Sequence, residues 1–114
     1  MFPKLLAPKN YQEMPDLAEE VKTILNSTSV AGVAGALRGI KERPDSTPIL
    51  PDIKLPTFII HGQQDQIIPI LEAEKMASAI PGAELKILSD SGHLPNLEQP
   101  DYFNLVLIDY LNHF

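Results

Sequence analysis

The stretch that decides the fold covers residues 57–100 and reads TFIIHGQQDQIIPILEAEKMASAIPGAELKILSDSGHLPNLEQP. It opens with an apolar run at 57–60, bounded by Pro56 and Gly62, which predicts a strand buried on both faces. Apolar and charged residues alternate over 84–88, which predicts a second strand with one face toward solvent.

Helical spacing follows each of these strands. Residues 69–80 place apolar side chains on one stripe and stop at Pro81-Gly82, a helix-ending signal. The order strand, helix, strand, helix predicts an α/β fold with parallel strands and a right-handed crossover, with the chemistry in the loops at the carboxyl ends of the strands. Pro100 opens the last helix, and its apolar stripe comprises Phe103, Val106, Leu107, Tyr110, Leu111 and Phe114.

Two helices are predicted before this unit, one beginning at Pro15 and one following Ser29. Glycines at three positions weaken the second helix. Four prolines within residues 42–56 predict an irregular connector. The chain therefore divides into a helical segment at 1–43, a proline-rich connector at 44–55 and a βαβα unit at 56–114.

The composition argues against several classes of function. A net charge of -6 and only 9 Lys and Arg among 114 residues argue against a nucleic-acid partner. Cysteine is absent and the three histidines lack metal-ligand spacing, so we expect no metal and no cofactor. The apolar runs are too short to span a bilayer and the start lacks a signal-peptide pattern, which predicts a cytoplasmic protein without a membrane partner.

Two polar loops follow the predicted strands and hold the candidate site residues. Asp65 lies in the first loop and His93 in the second, 28 residues later. A carboxylate bonded to one imidazole nitrogen fixes the tautomer of the ring, which leaves the other nitrogen free to accept a proton from a nucleophile. Gly92, just before the histidine, is expected to let the backbone turn.

These loops resemble the C-terminal signature of the α/β-hydrolase superfamily, and the resemblance extends over roughly residues 37–114. In that family one strand ends in G-x-x-D-x-x-x-P, as at residues 62–69, and the next ends in Gly-His, as at Gly92-His93. The resemblance implies that Asp65 is the acid and His93 the general base of a catalytic triad. It also implies that residues 1–43 form the end of a helical cap.

The loop that contains the histidine is similar to that of enol-lactone hydrolases and related carboxylesterases. Peroxidase-like, peptidase and carbon–carbon bond hydrolase relatives share the same pattern, so the resemblance leaves the substrate open.

Other polar residues have simpler explanations. Asp90 is the one rival to Asp65 as partner of the histidine. His61 is expected to satisfy a local hydrogen bond, and His113 to interact with the dipole at the end of the last helix. Turn or capping roles are predicted for the remaining acidic candidates, Asp45, Asp52 and Glu98.

None of the six serines lies in the G-x-S-x-G motif that a serine nucleophile of this family requires. Since the family order is Ser, Asp, His, we expect the nucleophile upstream of residue 1 and the chain to be a C-terminal fragment. One hypothesis is that the chain is part of a serine hydrolase, an esterase or lactonase, whose substrate is a small ester or lactone. The alternative is a catalytically inactive α/β fragment that acts as an oligomeric or interaction module.

The open edge of the predicted sheet also has a consequence for assembly. An unpaired strand edge exposes backbone groups and apolar side chains that need a cover. We therefore expect self-association, or pairing with a missing N-terminal part.

Overall fold

The computed structural model describes residues 2–114 and contains a two-stranded parallel sheet. Strand β1 comprises Phe58–Gly62 and strand β2 comprises Glu84–Leu88, with Phe58 opposite Glu84 and Gly62 opposite Leu88. The second strand matches its predicted bounds, whereas the first begins and ends later than the apolar run indicates. Because the strands are parallel and in register, their carboxyl ends meet at one edge of the sheet.

Within residues 2–114, three α-helices precede the sheet. Helix α1 (Pro8–Glu13) was not evident from the sequence, whereas α2 (Pro15–Asn26) and α3 (Val30–Glu42) confirm the two predicted helices. The Ser29 side chain caps α3 by accepting a hydrogen bond from the backbone N–H of Gly32, which fixes where that helix begins. A 3₁₀ turn at Phe2–Lys4 stands before α1.

The connector is less irregular than its prolines indicate. A 3₁₀ helix spans Thr47–Asp52, with Pro51 inside it. The φ angle fixed by proline, about −65°, suits a 3₁₀ turn, and the missing N–H costs little in so short an element. The expectation of an entirely irregular connector was therefore wrong.

Helices complete the βαβα unit. The crossover helix α4 (Ile70–Ala79) confirms the predicted helix, and a single turn, α5 (Pro95–Glu98), precedes the last helix, α6 (Pro100–Leu111). Helix α6 packs on the sheet through Tyr110, whose ring stacks on Phe58 with centroids 4.4 Å apart. This contact fixes the last helix across the strand that leads into the site.

The sheet is less covered than the apolar run predicted. Residues Phe58–His61 are only half-buried, because β2 is the only strand paired with β1 within residues 2–114. At the end of the α6 stripe, Leu111 and Phe114 are exposed. The buried cluster lies instead beneath the loops at the carboxyl ends of the strands, where Leu5, Leu6 and Val21 pack together.

Within residues 2–114 no helix combines the length and the apolar character needed to cross a membrane.

Candidate functional site

Asp65 and His93 meet at the carboxyl ends of β1 and β2. The Nδ1 atom of His93 lies 3.0 Å from Oδ2 of Asp65, a hydrogen-bonding distance. The two residues are 28 positions apart in sequence, and the parallel pairing brings their loops to one edge. The predicted contact between the two side chains is confirmed.

Local hydrogen bonds hold the Asp65 carboxylate in place. Its Oδ1 atom accepts bonds from the backbone N–H groups of Ile67 (2.8 Å) and Ile68 (2.9 Å), so Oδ2 is left for the histidine. Burial raises the pKa of this carboxyl group, but the bonds from Ile68, His93 and Ile67 outweigh that effect and the net pKa is lowered. Asp65 is therefore ionised at neutral pH.

The protonation pattern of the pair follows from that charge. An ionised carboxylate only accepts hydrogen bonds, so Nδ1 of His93 must carry the hydrogen. In the neutral ring Nε2 then has a free lone pair, and within residues 2–114 it makes no hydrogen bond. The His93 side chain is 34% exposed and that of Asp65 only 5%, so the carboxylate is shielded from solvent while the imidazole is accessible.

Reciprocal hydrogen bonds join the two loops. The backbone N–H of Gln64 donates to the carbonyl of Ser91 (2.8 Å), and the backbone N–H of Ser91 donates to Oε1 of Gln64 (3.0 Å). Next to them, the backbone N–H of Gln63 donates to the carbonyl of Leu88 (2.8 Å) and continues the strand pairing into the loop. These bonds fix the separation of the loops on which the Asp65–His93 contact depends.

Two glycines allow three backbone segments to cross at the site. A β-carbon on Gly92 would lie 2.6 Å from the backbone nitrogen of Ala7, and one on Gly62 would collide with the carbonyl groups of Ser91 and Gly92. Gly92 does not have a positive φ angle. The expectation that Gly92 serves backbone turning is therefore wrong, because what the site requires is the absence of a side chain.

Replacing Gly62 with alanine should therefore destabilise the protein. We expect the free energy of unfolding to fall by about 1–3 kcal/mol, because the new methyl group would have to displace two backbone carbonyls. Urea unfolding followed by circular dichroism measures the change. Gly35→Ala is the matched control: it lies in α3 with no atom within 4 Å of the added carbon and should raise stability by roughly 0.5–1 kcal/mol. Equal effects of the two substitutions on stability would contradict the close approach of the Ser91 and Gly92 carbonyl groups to Gly62.

A small cavity opens beside the two side chains. Its volume is about 200 Å³, and Asp65 and His93 both line it. The remaining lining residues are Ile60, His61, Gly62, Ile68 and Pro95. The wall is about half polar and half apolar, because two histidines and an aspartate face apolar residues across it, and such a wall suits a small polar organic group.

His61 lies beside the acid but has a structural role. Its Nε2 atom is 3.0 Å from the carbonyl oxygen of Ile68, which confirms the predicted local hydrogen bond. The same atom is 3.8 Å from Oδ2 of Asp65, so the ring also forms part of the environment of the carboxylate.

The other polar candidates lie outside the contact between Asp65 and His93. Asp90 adopts a left-handed backbone conformation (φ 54°), and within residues 2–114 its carboxylate makes no hydrogen bond to His93. Asp45 binds the backbone and hydroxyl of Thr47, as expected of a turn residue, and Asp52 ends the 3₁₀ helix of the connector. The His113 ring bonds the carbonyl of Asp109 near the end of α6.

Glu98 is the residue whose role the sequence did not reveal. Its carboxylate is buried and accepts hydrogen bonds from Ala7, Asn10, Gly92 and Leu94, so the predicted role of capping the last helix is wrong. In the sequence, Glu98 was marked by its place in Glu98-Gln99-Pro100 before the last helix, which did not indicate that its side chain is buried.

The N-terminal stretch at residues 5–7 also belongs to the surroundings of the site. The carbonyl of Leu5 accepts a hydrogen bond from the backbone N–H of His93 (3.0 Å), and the carbonyl of Leu6 accepts one from the Gln66 side chain (3.2 Å). The sequence marks this stretch only by a short apolar run, too short for any periodicity. Within the part of the chain that the structure describes, no cluster of side chains could hold a metal ion.

The chain also matches known proteins in sequence and in structure. A family model described as alpha/beta hydrolase fold matches residues 5–100. The chain belongs to the α/β-hydrolase family. In keeping with that membership, it shares 37% identity over 71 residues with 2-hydroxy-6-oxononadienedioate/2-hydroxy-6-oxononatrienedioate hydrolase of Escherichia coli, an alignment that covers 62% of this chain and 25% of that protein.

Solved structures resemble this α/β-hydrolase chain over almost its whole length. A thermophilic esterase from Thermogutta terrifontis is 36% identical with a TM-score of 0.94, and the match covers 99% of this chain and 42% of the esterase. The enol-lactonase from Burkholderia xenovorans LB400 is 26% identical with a TM-score of 0.88, covering 96% of this chain and 42% of the lactonase. The chain thus spans about a quarter of the length of the curated relative and less than half that of the two structures.

Proposed function

We propose that this chain supplies the acid and the base of a serine hydrolase that cleaves a small ester or lactone. The observation that carries the proposal is the 3.0 Å contact between His93 Nδ1 and Asp65 Oδ2, with Nε2 of the ring unengaged within residues 2–114. The nucleophilic serine is proposed to come from a part of the fold outside these 114 residues, since none of the six serines here has the required glycine neighbours.

The proposed chemistry follows from the arrangement of the two side chains. Nε2 of His93 takes the proton of the serine hydroxyl as its oxygen attacks the substrate carbonyl carbon, and Asp65 stabilises the resulting imidazolium. The imidazolium then returns the proton to the departing alkoxide, which leaves an acyl-enzyme. Water, deprotonated by the same ring, attacks the acyl carbon and releases the acid, while the proton returns to the serine.

The substrate class is proposed from the relatives that cover most of the chain. The Thermogutta esterase and the Burkholderia enol-lactonase match 99% and 96% of it, including the helices before the sheet. A second candidate is hydrolysis of a substrate like 2-hydroxy-6-oxononadienedioate, favoured by the 37% identity to the E. coli hydrolase of that compound. That similarity covers only 62% of the chain, so ester or lactone cleavage is the better supported proposal.

A chimera tests the proposed function. The full 114-residue chain replaces the matched 42% of the Thermogutta terrifontis esterase, so that the remaining part of that enzyme provides the other elements of the fold. We expect this chimera to hydrolyse p-nitrophenyl butyrate, because the acid and base would then lie beside a serine. Release of p-nitrophenol followed by absorbance measures the rate.

The isolated chain is the control for this experiment. It should give no turnover above background, since a base and its orienting acid have no nucleophile to activate. It should also self-associate in sedimentation experiments, because apolar residues such as Val30 (87% exposed) and Ile40 (61% exposed) and one edge of β1 lack a cover within residues 2–114. A folded chimera that is inactive toward esters and lactones would contradict the proposal.

A further inference from the structure

Glu98 is a buried carboxylate with a full set of hydrogen-bond donors. Only 2% of the residue is exposed, and each of its two oxygens accepts two bonds. Oε1 receives the backbone N–H of Ala7 at 2.6 Å and the Asn10 side chain at 3.1 Å. Oε2 receives the backbone N–H groups of Gly92 at 2.8 Å and Leu94 at 3.1 Å.

The Oε2 bonds fall on the two residues that flank His93. The backbone N–H of His93 itself donates to the carbonyl of Leu5 at 3.0 Å. All three consecutive amide groups, 92 to 94, are therefore fixed by hydrogen bonds, two of them by one carboxylate. The backbone that carries the imidazole has little freedom to rotate while Glu98 is in place.

The hydrogen bonds to Oε1 of Glu98 come from the N-terminal stretch and connect it to the histidine loop. Ala7 and Asn10 are 91 and 88 positions from Glu98 in sequence, and the Asn10 side chain also bonds the carbonyl of Asp90 at 2.6 Å. The stretch at 5–10 and the histidine loop are thus held by opposite oxygens of a single side chain.

Proton transfer by Glu98 itself conflicts with this geometry. Its oxygens are occupied by four donors and it makes no hydrogen bond to the His93 ring. A carboxylate in these surroundings acts through the backbone that it holds.

We propose that Glu98 is a positioning residue for the base: it sets the orientation of the His93 ring toward Asp65 and the nucleophile, and links that orientation to residues 5–10. The proposal rests on the proposed function for its catalytic consequence, but the orientation of the ring can be measured without turnover.

Glu98→Gln tests the proposal in the chimera. Glutamine has almost the same shape, but its NH₂ group cannot accept hydrogen bonds, so the two donors at one end of the side chain lose their partner. We expect kcat to fall about 10²-fold with little change in KM, since a base displaced by about 1 Å transfers protons poorly. The low-field proton resonance of the His93 Nδ1–H shared with Asp65 should also be lost in nuclear magnetic resonance spectra.

The matched control is Glu74→Gln, because Glu74 is exposed on α4 and makes no side-chain hydrogen bond within residues 2–114. It should change neither kcat nor the resonance. A folded Glu98→Gln protein that retains both the parent kcat and the resonance would overturn the proposal. A lower folded fraction with unchanged kcat per folded molecule would overturn it as well, because that result indicates a purely structural role.

Asn10→Ala covers the case in which Glu98→Gln does not fold. It removes one donor and leaves three bonds to Glu98, so we expect a several-fold decrease in kcat with the fold retained. An unchanged kcat in that variant would also count against the proposal. If the unsubstituted chimera is inactive, the proposed function fails, and the His93 resonance alone still decides whether Glu98 orients the ring.

Discussion

Replacing His93 with alanine in the chimera is expected to lower kcat/KM by roughly 10⁴–10⁶-fold, the order of loss that follows removal of a member of a serine hydrolase triad. The imidazole is the only group of this chain that combines a free ring nitrogen with an orienting carboxylate 3.0 Å away, within residues 2–114. Without it the serine hydroxyl keeps its proton and remains a weak nucleophile.

Steady-state kinetics with p-nitrophenyl butyrate measure this loss. His113→Ala is the matched control, because it removes the same side chain from an exposed position at the end of α6. We expect that control to retain the activity of the parent. A decrease of less than about tenfold for His93→Ala would exclude His93 as the general base, since general-base catalysis contributes typically at least 10²-fold.

Replacing Asp65 with asparagine is expected to lower kcat by about 10⁴-fold with the fold intact. The amide oxygen can still accept the bonds from Ile67 and Ile68, but the amide NH₂ would face Nδ1 of His93. That donor stabilises the tautomer with the hydrogen on Nε2, which cannot take a proton from serine. The pKa of Asp65 is lowered, so the carboxylate of the parent is ionised at neutral pH. The decrease in kcat should therefore appear at every pH near neutrality.

Asp90→Asn serves as the control for this substitution. Asparagine tolerates the left-handed conformation that Asp90 adopts, so this variant should keep both fold and activity. Equal losses from the two substitutions would show that charge near the histidine loop, and not the contact with His93, determines the rate. A Michaelis analysis of both variants over pH 6–8 on the same preparation of chimera provides the comparison.

Local patterns predicted most of the secondary structure of the βαβα unit. Alternating residues and a preceding Pro-Gly turn located β2 correctly, because a strand with one wet face has a clear period of two. The apolar run at 57–60 located β1 less well, since such runs lack a period that marks their ends. Its burial was overestimated because burial depends on neighbouring strands, which no local pattern encodes.

The contact between acid and base was predictable, whereas the residues that support it were not. Asp65 and His93 follow consecutive parallel strands, so the topology brings their loops to the same edge of the sheet. Glu98 resembles an ordinary residue before a helix, and two of its four donors, Ala7 and Asn10, lie 91 and 88 positions away in sequence. Gly92 was predicted to matter for the wrong reason, because the backbone of Leu6 and Ala7 that crosses it is far away in sequence.

The crossing of residues 5–7 over the histidine loop has a consequence for the order of folding. The hydrogen bond between Ala7 and Glu98 joins residues 91 positions apart, whereas paired residues of the two strands, such as Phe58 and Glu84, are only 26 positions apart. Contacts between distant residues form late, because closing a long loop costs more entropy than closing a short one. The sheet can therefore assemble while the histidine loop is still unanchored, and we expect the contacts of that loop with Glu98 and residues 5–7 to form late in folding.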